Sequence, residues 1–166
     1  MFRSVPLPPS LPGHLQLHSM PGRHESMTTF EAELAAHAVD RIISLTGLAE
    51  IRAKSPAFAQ AIAAGFPKPR TEFPMEDFGV PADRAGFLAL AQEMAADLRR
   101  GETLLVHCGA GIGRTGTLAA SALICLGLDE TAALQAVGQA GAGPETDEQS
   151  DLVRWVAAQV NPKETP

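Results

Sequence analysis

The sequence has little of several features that mark common protein classes. Its 166 residues include two cysteines, Cys108 and Cys125, too few for the disulfide scaffold of a small secreted domain. It has no apolar run of about 18 to 20 residues, the length that a membrane-spanning helix requires. Prolines occupy the N-terminal positions where a secretory signal has its apolar core. We therefore expect a cytoplasmic protein that does not enter a membrane.

Positive charge is also in short supply. The chain has 13 Lys and Arg against 19 Asp and Glu, a formal net charge of −6. Because such a field repels polyanions, we expect no nucleic-acid partner and no anionic membrane surface, although a small local anion pocket is compatible with it. The composition, 45% hydrophobic and 19% charged, fits one globular domain, and we expect a monomer.

The pattern of apolar residues divides the chain into an arm, a domain and a tail. Residues 1–14 hold four prolines and Gly13, a composition that favours extended, polyproline-like backbone over packed elements. We predict an arm there that is flexible or lies along the surface. Residues 15–160 form the predicted domain, and residues 161–166 the tail.

Strand-like and helix-like segments alternate through the domain. Predicted strands cover residues 15–18, 41–45, 71–73 and 103–107, and predicted helices cover residues 28–38, 49–64 with a break at Pro56, 83–100, 115–127, 130–140 and 147–160. The strand at 103–107 is an unbroken apolar run, typical of the middle of a covered sheet. The alternation predicts an α/β fold with a central, mostly parallel sheet of about four to five strands flanked by helices.

A glycine-rich turn, here called the phosphate loop (residues 108–114), joins the strand at 103–107 to the next helix. It places Cys108 at the strand end and Arg114 at the helix start, with three glycines between them. Glycines permit the dihedrals that turn successive N–H groups inward, and the helix N-terminus adds partial positive charge. Since the guanidinium of Arg114 can also grip two phosphate oxygens, the loop is predicted to cradle a phosphate dianion.

Each part of this segment has a predicted role. The same surroundings favour the thiolate of Cys108, a candidate nucleophile. The Thr115 hydroxyl is placed to donate to the sulfur and to help it leave, and His107 is predicted to order the loop from behind. Phosphate is expected to bind Arg114 and the backbone of Gly109, Ala110, Gly111, Ile112 and Gly113. The alternative without function is a tight glycine turn with a buried cysteine.

The string HCGAGIGRTG resembles the signature H-C-x5-R-[S/T] of the cysteine-dependent protein tyrosine phosphatase superfamily. Rhodanese-like and arsenate-reducing proteins share the spacing, but the preceding His, the alternating glycines and the following Thr-Gly make the match more specific. From about Leu15 to Val160 the arrangement looks like the compact kinase-associated (CDK-inhibitor-type) branch of dual-specificity phosphatases. The resemblance implies a tyrosine-phosphatase-like fold and a phosphocysteine intermediate, and the chemistry needs no cofactor or metal.

A second segment, here called the acid loop (residues 74–81), reads PMEDFGVP. Expelling a phenolate requires a general acid, and a carboxyl group above the cradle can supply the proton. The segment resembles the P-x-x-D-x-x-x-P acid loop of small superfamily members, which implies that Asp77 is the acid. Glu76 is the competing candidate, and two solvated carboxylates are the alternative without function.

A third segment, residues 145–149, is similar to the late Q-T-x-x-Q loop of tyrosine-specific relatives. The resemblance implies that Gln149 orients the water that hydrolyses the phosphocysteine. The first glutamine of that motif is Glu145 here, and its carboxylate is electrostatically different beside a phosphoryl group. A helix cap, with Thr146 capping and Gln149 at the third helical position, explains the same residues equally well.

The resemblance implies a phosphorylated protein or a small phosphomonoester as substrate. Because phosphoinositide phosphatases tend to carry lysines within the loop, the neutral Ala110 and Ile112 favour phosphotyrosine over a lipid. An inositol phosphate substrate and a phosphate-binding module without turnover are the alternatives. Cys125 is interpreted as a core residue, or else as a partner for oxidised Cys108, and Arg23 is expected at the surface.

Overall fold

The computed structural model describes residues 1–161. Its strands are β1 (Arg3–Ser4), β2 (His14–His18), β3 (Arg41–Ser44), β4 (Arg70–Glu72) and β5 (Thr103–His107). Its helices are α1 (Met27–Ala36), α2 (Leu48–Lys54), α3 (Pro56–Ala63), α4 (Arg84–Arg99), α5 (Gly113–Cys125), α6 (Glu130–Gln139) and α7 (Asp147–Val160). None of the helices within residues 1–161 combines the length and apolarity needed to cross a bilayer.

The strands form one five-stranded sheet in the order β1-β2-β5-β3-β4. The pairs β2–β5, β5–β3 and β3–β4 are parallel, and β1 joins the edge of β2 antiparallel. The prediction of an α/β fold with a mostly parallel central sheet is confirmed. At the carboxyl end of β5, His107 lies opposite His18 of β2 and Ser44 of β3. The phosphate loop therefore leaves the centre of the sheet, flanked by the segments that follow β2 and β3.

Both faces of the sheet are covered, as the apolar sequence of β5 predicts. Leu104 and Val106 pack in the core cluster that contains α4, α5 and α7, whereas Leu105 packs in the cluster around Phe30 of α1. Residues 113–124 of α5 are all buried. Because alternate residues of β5 enter opposite cores, the strand is held from both sides, and the loop that follows it starts from a rigid position.

The N-terminal arm departs from the prediction. Arg3 and Ser4 pair with Leu17 and Gln16 of β2, and the flanking Phe2 and Val5 are buried. The expectation of a polyproline-like arm without packed elements is therefore wrong for residues 2–5. The prolines begin only at residue 6, so the preceding residues keep the N–H groups that a strand needs.

Several boundaries also shift. The first helix begins at Met27 rather than at Thr28. Ser26 is its N-cap and accepts a hydrogen bond from Thr29 N at 3.0 Å. It ends at Ala36, because Ala38 has a φ of 49°, outside the helical region. The break at Pro56 is present, and Ser55 caps α3 there. Helix α5 also shifts, since it runs over Gly113–Cys125 rather than residues 115–127 and so begins within the phosphate loop.

Candidate active site

Cys108 lies at the base of the phosphate loop, 2% exposed. Its Sγ accepts a hydrogen bond from the Gly111 N–H, with the nitrogen 3.2 Å from the sulfur. Gly111 has a φ of 75°, and a Cβ there would lie 2.3 Å from the His18 carbonyl oxygen, so only glycine fits. The loop thus curls over the sulfur and brings a backbone donor to it, as an anion cradle requires.

Carbonyl groups of the phosphate loop accept hydrogen bonds from the segments that surround the loop. The Gly109 oxygen accepts from Met20 N at 3.2 Å and from Arg23 Nη1 at 2.8 Å, and the Ile112 oxygen accepts from Gly143 N at 3.3 Å. In a planar trans peptide, the N–H points opposite to the carbonyl. Each bonded carbonyl therefore directs the next residue's N–H away from these donors. Arg23 is exposed, as expected, and its guanidinium also donates to the loop.

A third carbonyl of the loop is bonded by the N-terminal arm. Arg3 Nη2 donates to the Gly111 oxygen, while its Nη1 donates to the oxygens of Ala140 and Gly141 at 3.1 and 2.8 Å. Nothing in the sequence pointed to Arg3, because its contact with Gly111 spans 108 residues and depends on the unpredicted strand β1.

Arg114 is 1% exposed, at the start of α5. Its Nη1 and Nη2 donate to the two carboxylate oxygens of Glu50, at 2.8 and 3.0 Å, and Nη1 also donates to the Met75 oxygen at 2.9 Å. The bond from Arg114, with help from Lys54, outweighs burial and holds the pKa of Glu50 at about 2. The Nε of Arg114 is buried and has no partner within residues 1–161. Glu50 therefore fixes the guanidinium and leaves Nε available to a phosphate oxygen.

Asp77 of the acid loop reaches the same guanidinium. Its carboxylate lies 3.0 Å from Arg114 Nη2 and 3.6 Å from Lys54 Nζ, while the side chain remains 53% exposed. Glu76 is also exposed and forms no ion pair within residues 1–161. Of the two candidate acids, the structure brings Asp77 to the phosphate loop.

Helix α7 holds the acid loop in this position. Gln149, fully buried, donates from Nε2 to the Gly79 oxygen at 3.1 Å and accepts at Oε1 from Glu145 N at 2.9 Å. Thr146 Oγ1 donates to the Phe78 oxygen at 3.4 Å. Thr146 also caps α7 by accepting from Gln149 N at 3.2 Å, so the capping alternative is present.

The side chains of Gln149 and Glu145 lie against the phosphate loop. A Cβ on Gly113 would be 2.3 Å from Glu145 Oε2 and 3.1 Å from Gln149 Oε1. Gln149 therefore takes part in the helix cap through its backbone and lies beside the phosphate loop through its side chain. Glu145, the residue that departs from the family motif, brings a carboxylate to the same spot.

The predicted bond from Thr115 to the sulfur is absent from this structure. The Thr115 hydroxyl is buried and has no hydrogen-bond partner within residues 1–161, and the donor to Cys108 Sγ is the Gly111 N–H. The assisting role of Thr115 stays a prediction.

His107 lies behind the loop, fully buried. Its Nδ1 is 3.3 Å from the Cys108 carbonyl oxygen, and because a carbonyl only accepts, the proton is assigned to Nδ1. Burial, together with nearby positive charges, lowers the pKa of His107 to about 3. The imidazole is therefore neutral at physiological pH and serves as a hydrogen-bond donor to the loop backbone.

Sequence reasoning also missed Glu50 and Lys54 of α2. Lys54 Nζ lies 2.7 Å from Glu50 Oε1 and 3.3 Å from the place of a Cβ on Gly109. A signal existed: α2 follows β3, and segments that follow neighbouring parallel strands meet at one edge of the sheet. That signal becomes usable only once the order of β3 and β5 is known.

A family model described as "Swiss Army Knife protein, DSP-PTPase phosphatase domain" matches residues 11–161. No curated protein matches the sequence.

Several solved structures share the fold. The chain is similar to kinase-associated phosphatase with its catalytic cysteine substituted by serine, at a TM-score of 0.81, with 17% identity over 96% of this chain and 95% of that one. The chain is also similar to human DUSP28, at a TM-score of 0.68, with 19% identity over 96% of this chain and 97% of that one. For PTPMT1 in complex with PI(5)P the TM-score is 0.66, with 18% identity over 88% of this chain and 91% of that one. At such identities these likenesses establish the fold alone.

Proposed function

Because the chain belongs to the DSP-PTPase phosphatase domain family of Swiss Army Knife proteins, a cysteine-based phosphatase family, we propose that it hydrolyses phosphomonoesters through a phosphocysteine intermediate. The preferred substrate is a phosphorylated protein, with phosphotyrosine foremost. One observation carries the proposal: the buried guanidinium of Arg114 belongs to the phosphate loop and lies 3.0 Å from the carboxylate of Asp77. Nucleophile, phosphate-binding group and acid thus share one site.

In the first step the Cys108 thiolate attacks phosphorus, so that an S–P bond forms while the bond to the leaving oxygen breaks. Arg114 and the N–H groups of the phosphate loop stabilise the equatorial oxygens. Asp77 gives its proton to the leaving oxygen. To do so Asp77 exchanges its contact with Arg114 for one with the substrate, and its half-exposed side chain leaves room for this movement.

In the second step Asp77 removes a proton from water, whose oxygen attacks phosphorus. The S–P bond breaks, inorganic phosphate leaves, and Thr115 donates to the departing sulfur. Gln149 orients the water, a role supported by its position against Gly113. Glu145 lies in the same place, and its negative charge restrains how closely a phosphoryl oxygen approaches it.

The neutral side chains of the phosphate loop support a protein substrate. Ile112 is 38% exposed, and Phe78, at the tip of the acid loop, is 58% exposed, so both offer apolar surface to a phosphorylated side chain. A structural neighbour is named for its association with a kinase, a protein partner, and this name supports the choice.

The second candidate is the same chemistry on an inositol phosphate. Lys54 favours it, because its ammonium lies beside Gly109 and offers a cation to a further phosphate group. The likeness to PTPMT1 in complex with PI(5)P points the same way.

Steady-state kinetics test the proposal. Wild type, Cys108→Ser and Asp77→Asn are assayed on an aryl phosphate, a phosphotyrosyl peptide, a phosphoseryl peptide and an inositol phosphate, with vanadate as competitor. We expect turnover that requires Cys108, is blocked by vanadate and is highest on the phosphotyrosyl peptide. Highest turnover on the inositol phosphate supports the second candidate, and retention of turnover in Cys108→Ser would refute the thiolate mechanism.

A further inference from the structure

Arg3, in the edge strand β1, connects two loops that meet at the active site. Its Nη2 bonds the Gly111 oxygen in the phosphate loop, and its Nη1 bonds the oxygens of Ala140 and Gly141 between α6 and α7. One planar guanidinium group therefore connects the phosphate loop to the segment that leads to Gln149.

The peptide between Gly111 and Ile112 depends on such a restraint. Gly111 has no side chain and a φ of 75°, a conformation with little intrinsic preference to set the direction of the following peptide. Its carbonyl points to Arg3, so the N–H of Ile112, in the same trans peptide, points away from Arg3. On the other side, the N–H of Gly111 bonds Cys108 Sγ.

We propose that Arg3 is a positioning residue for the phosphate loop, holding the Gly111 carbonyl outward so that the Ile112 N–H stays turned toward a bound oxyanion. This role rests on the proposed phosphate-binding function of the loop. It makes the N-terminal arm a support of the active site, acting through the backbone of the phosphate loop. Burial lowers the pKa of Arg3, and the nearby thiolate charge of Cys108 partly offsets this effect by raising it.

The arm is anchored independently of the Arg3 side chain. Phe2 packs edge-on against His18 with ring centroids 5.0 Å apart, Val5 is buried, and Ser4 Oγ donates to Gln16 Oε1 at 2.9 Å. Replacing the guanidinium therefore leaves the strand pairing and its apolar anchors in place. The effect of such a variant is expected at the loop rather than on the fold.

The experiment compares Arg3→Gln, Arg3→Lys and the control Arg99→Gln. Arg99 also donates to a backbone carbonyl, that of Cys125 at 3.0 Å, but outside the active site. Each substitution is placed in the full chain, both with Cys108 and with Cys108→Ser. Tungstate binding is measured by calorimetry in the Cys108→Ser background, and kcat, KM and the midpoint of thermal unfolding are measured with Cys108 present.

We expect Arg3→Gln to weaken tungstate binding about tenfold and to lower kcat/KM by a similar factor, the size expected for loss of a charge-assisted hydrogen bond. Arg3→Lys should have a tungstate affinity between those of wild type and Arg3→Gln, since an ammonium keeps the charge but has no fork to bridge the two loops. Arg99→Gln should bind tungstate as wild type does. A purely structural role for Arg3 would lower the unfolding midpoint without changing tungstate affinity in the folded protein.

Unchanged tungstate affinity in folded Arg3→Gln overturns the proposal, and so does an equal loss in Arg99→Gln. If Arg3→Gln does not fold, Arg3→Lys decides, with wild-type affinity as the overturning result. If the unaltered chain binds tungstate but hydrolyses no phosphomonoester, the proposed function fails while the binding measurements still test Arg3.

Discussion

Glu50 is the residue on which the geometry of Arg114 depends. We expect Glu50→Gln to lower kcat/KM by about ten- to a hundredfold, because an amide replaces the two-point carboxylate contact and the guanidinium is no longer held in one orientation. The matched control is Glu93→Gln, which removes an exposed carboxylate paired with Arg41 away from the site. Steady-state kinetics on an aryl phosphate measure the effect. Equal loss in both variants would contradict a specific role for Glu50.

Glu50 also gives the fold a pH-dependent contribution. Its pKa of about 2 lies below the ordinary value of 4.5, so its stabilisation is fully present above pH 4.5 and is lost as pH falls through about 2. We expect wild type to exceed Glu50→Gln in unfolding free energy by about 1 to 3 kcal/mol at neutral pH, and the difference to shrink toward pH 2. Urea titrations across this range measure it. A difference independent of pH would show that Glu50 acts by packing alone.

At this scale, proximity in sequence decided what could be predicted. Cys108 and Arg114 lie in one short turn, where spacing and residue type carry the chemistry, and the acid loop has its own pattern around Asp77. Glu50 is 64 residues from Arg114, and Arg3 is 108 residues from Gly111. Only the fold brings Glu50 and Arg3 to their partners, so no local pattern in the sequence could identify these two residues.

At the scale of elements, α7 is the support of the acid loop, through the bond from Gln149 Nε2 to the Gly79 oxygen. We expect Gln149→Ala to lower kcat more for aryl phosphates with poor leaving groups than for those with good ones, because protonation by Asp77 matters most when the leaving oxygen is strongly basic. A series of substituted aryl phosphates gives this dependence. The control is Gln92→Ala, an exposed glutamine of α4.

The role proposed for Gln149 in the second step predicts a different result. If the variant slows every aryl phosphate by the same factor and shows a burst of phenol release, breakdown of the phosphocysteine has become limiting. That outcome would contradict a role confined to the acid loop and would support the orientation of water.

The elements themselves were largely predictable, with one informative exception. β5 and α5 are strongly apolar and bounded by glycines, so their sequences determine their type and burial. β1 has two residues and pairs only with β2. A strand this short has no periodicity to detect, and its formation depends on the burial of Phe2 and Val5 against the finished domain.

At the scale of the whole molecule, sequence predicted the α/β class but not the strand order. The order β1-β2-β5-β3-β4 sets β5 between β2 and β3, and with it the positions of Met20, Arg23 and Glu50 around the phosphate loop. Alternating periodicity identifies strands, whereas the choice of neighbours depends on packing between distant segments. The surroundings of the site were therefore less predictable than its centre.

The net charge of −6 gives the molecule a long-range preference among substrates. For phosphotyrosyl peptides that differ only in flanking residues, we expect lysine flanks to give a kcat/KM about three- to tenfold above glutamate flanks at low ionic strength, through faster encounter. The gap should close near 1 M salt, where the screening length falls to about 3 Å. A peptide with neutral flanks should have a kcat/KM between these two values. Equal values at low salt, or a preference for glutamate flanks, would mean that the local positive charge of Arg114 and Lys54 outweighs the field of the whole protein.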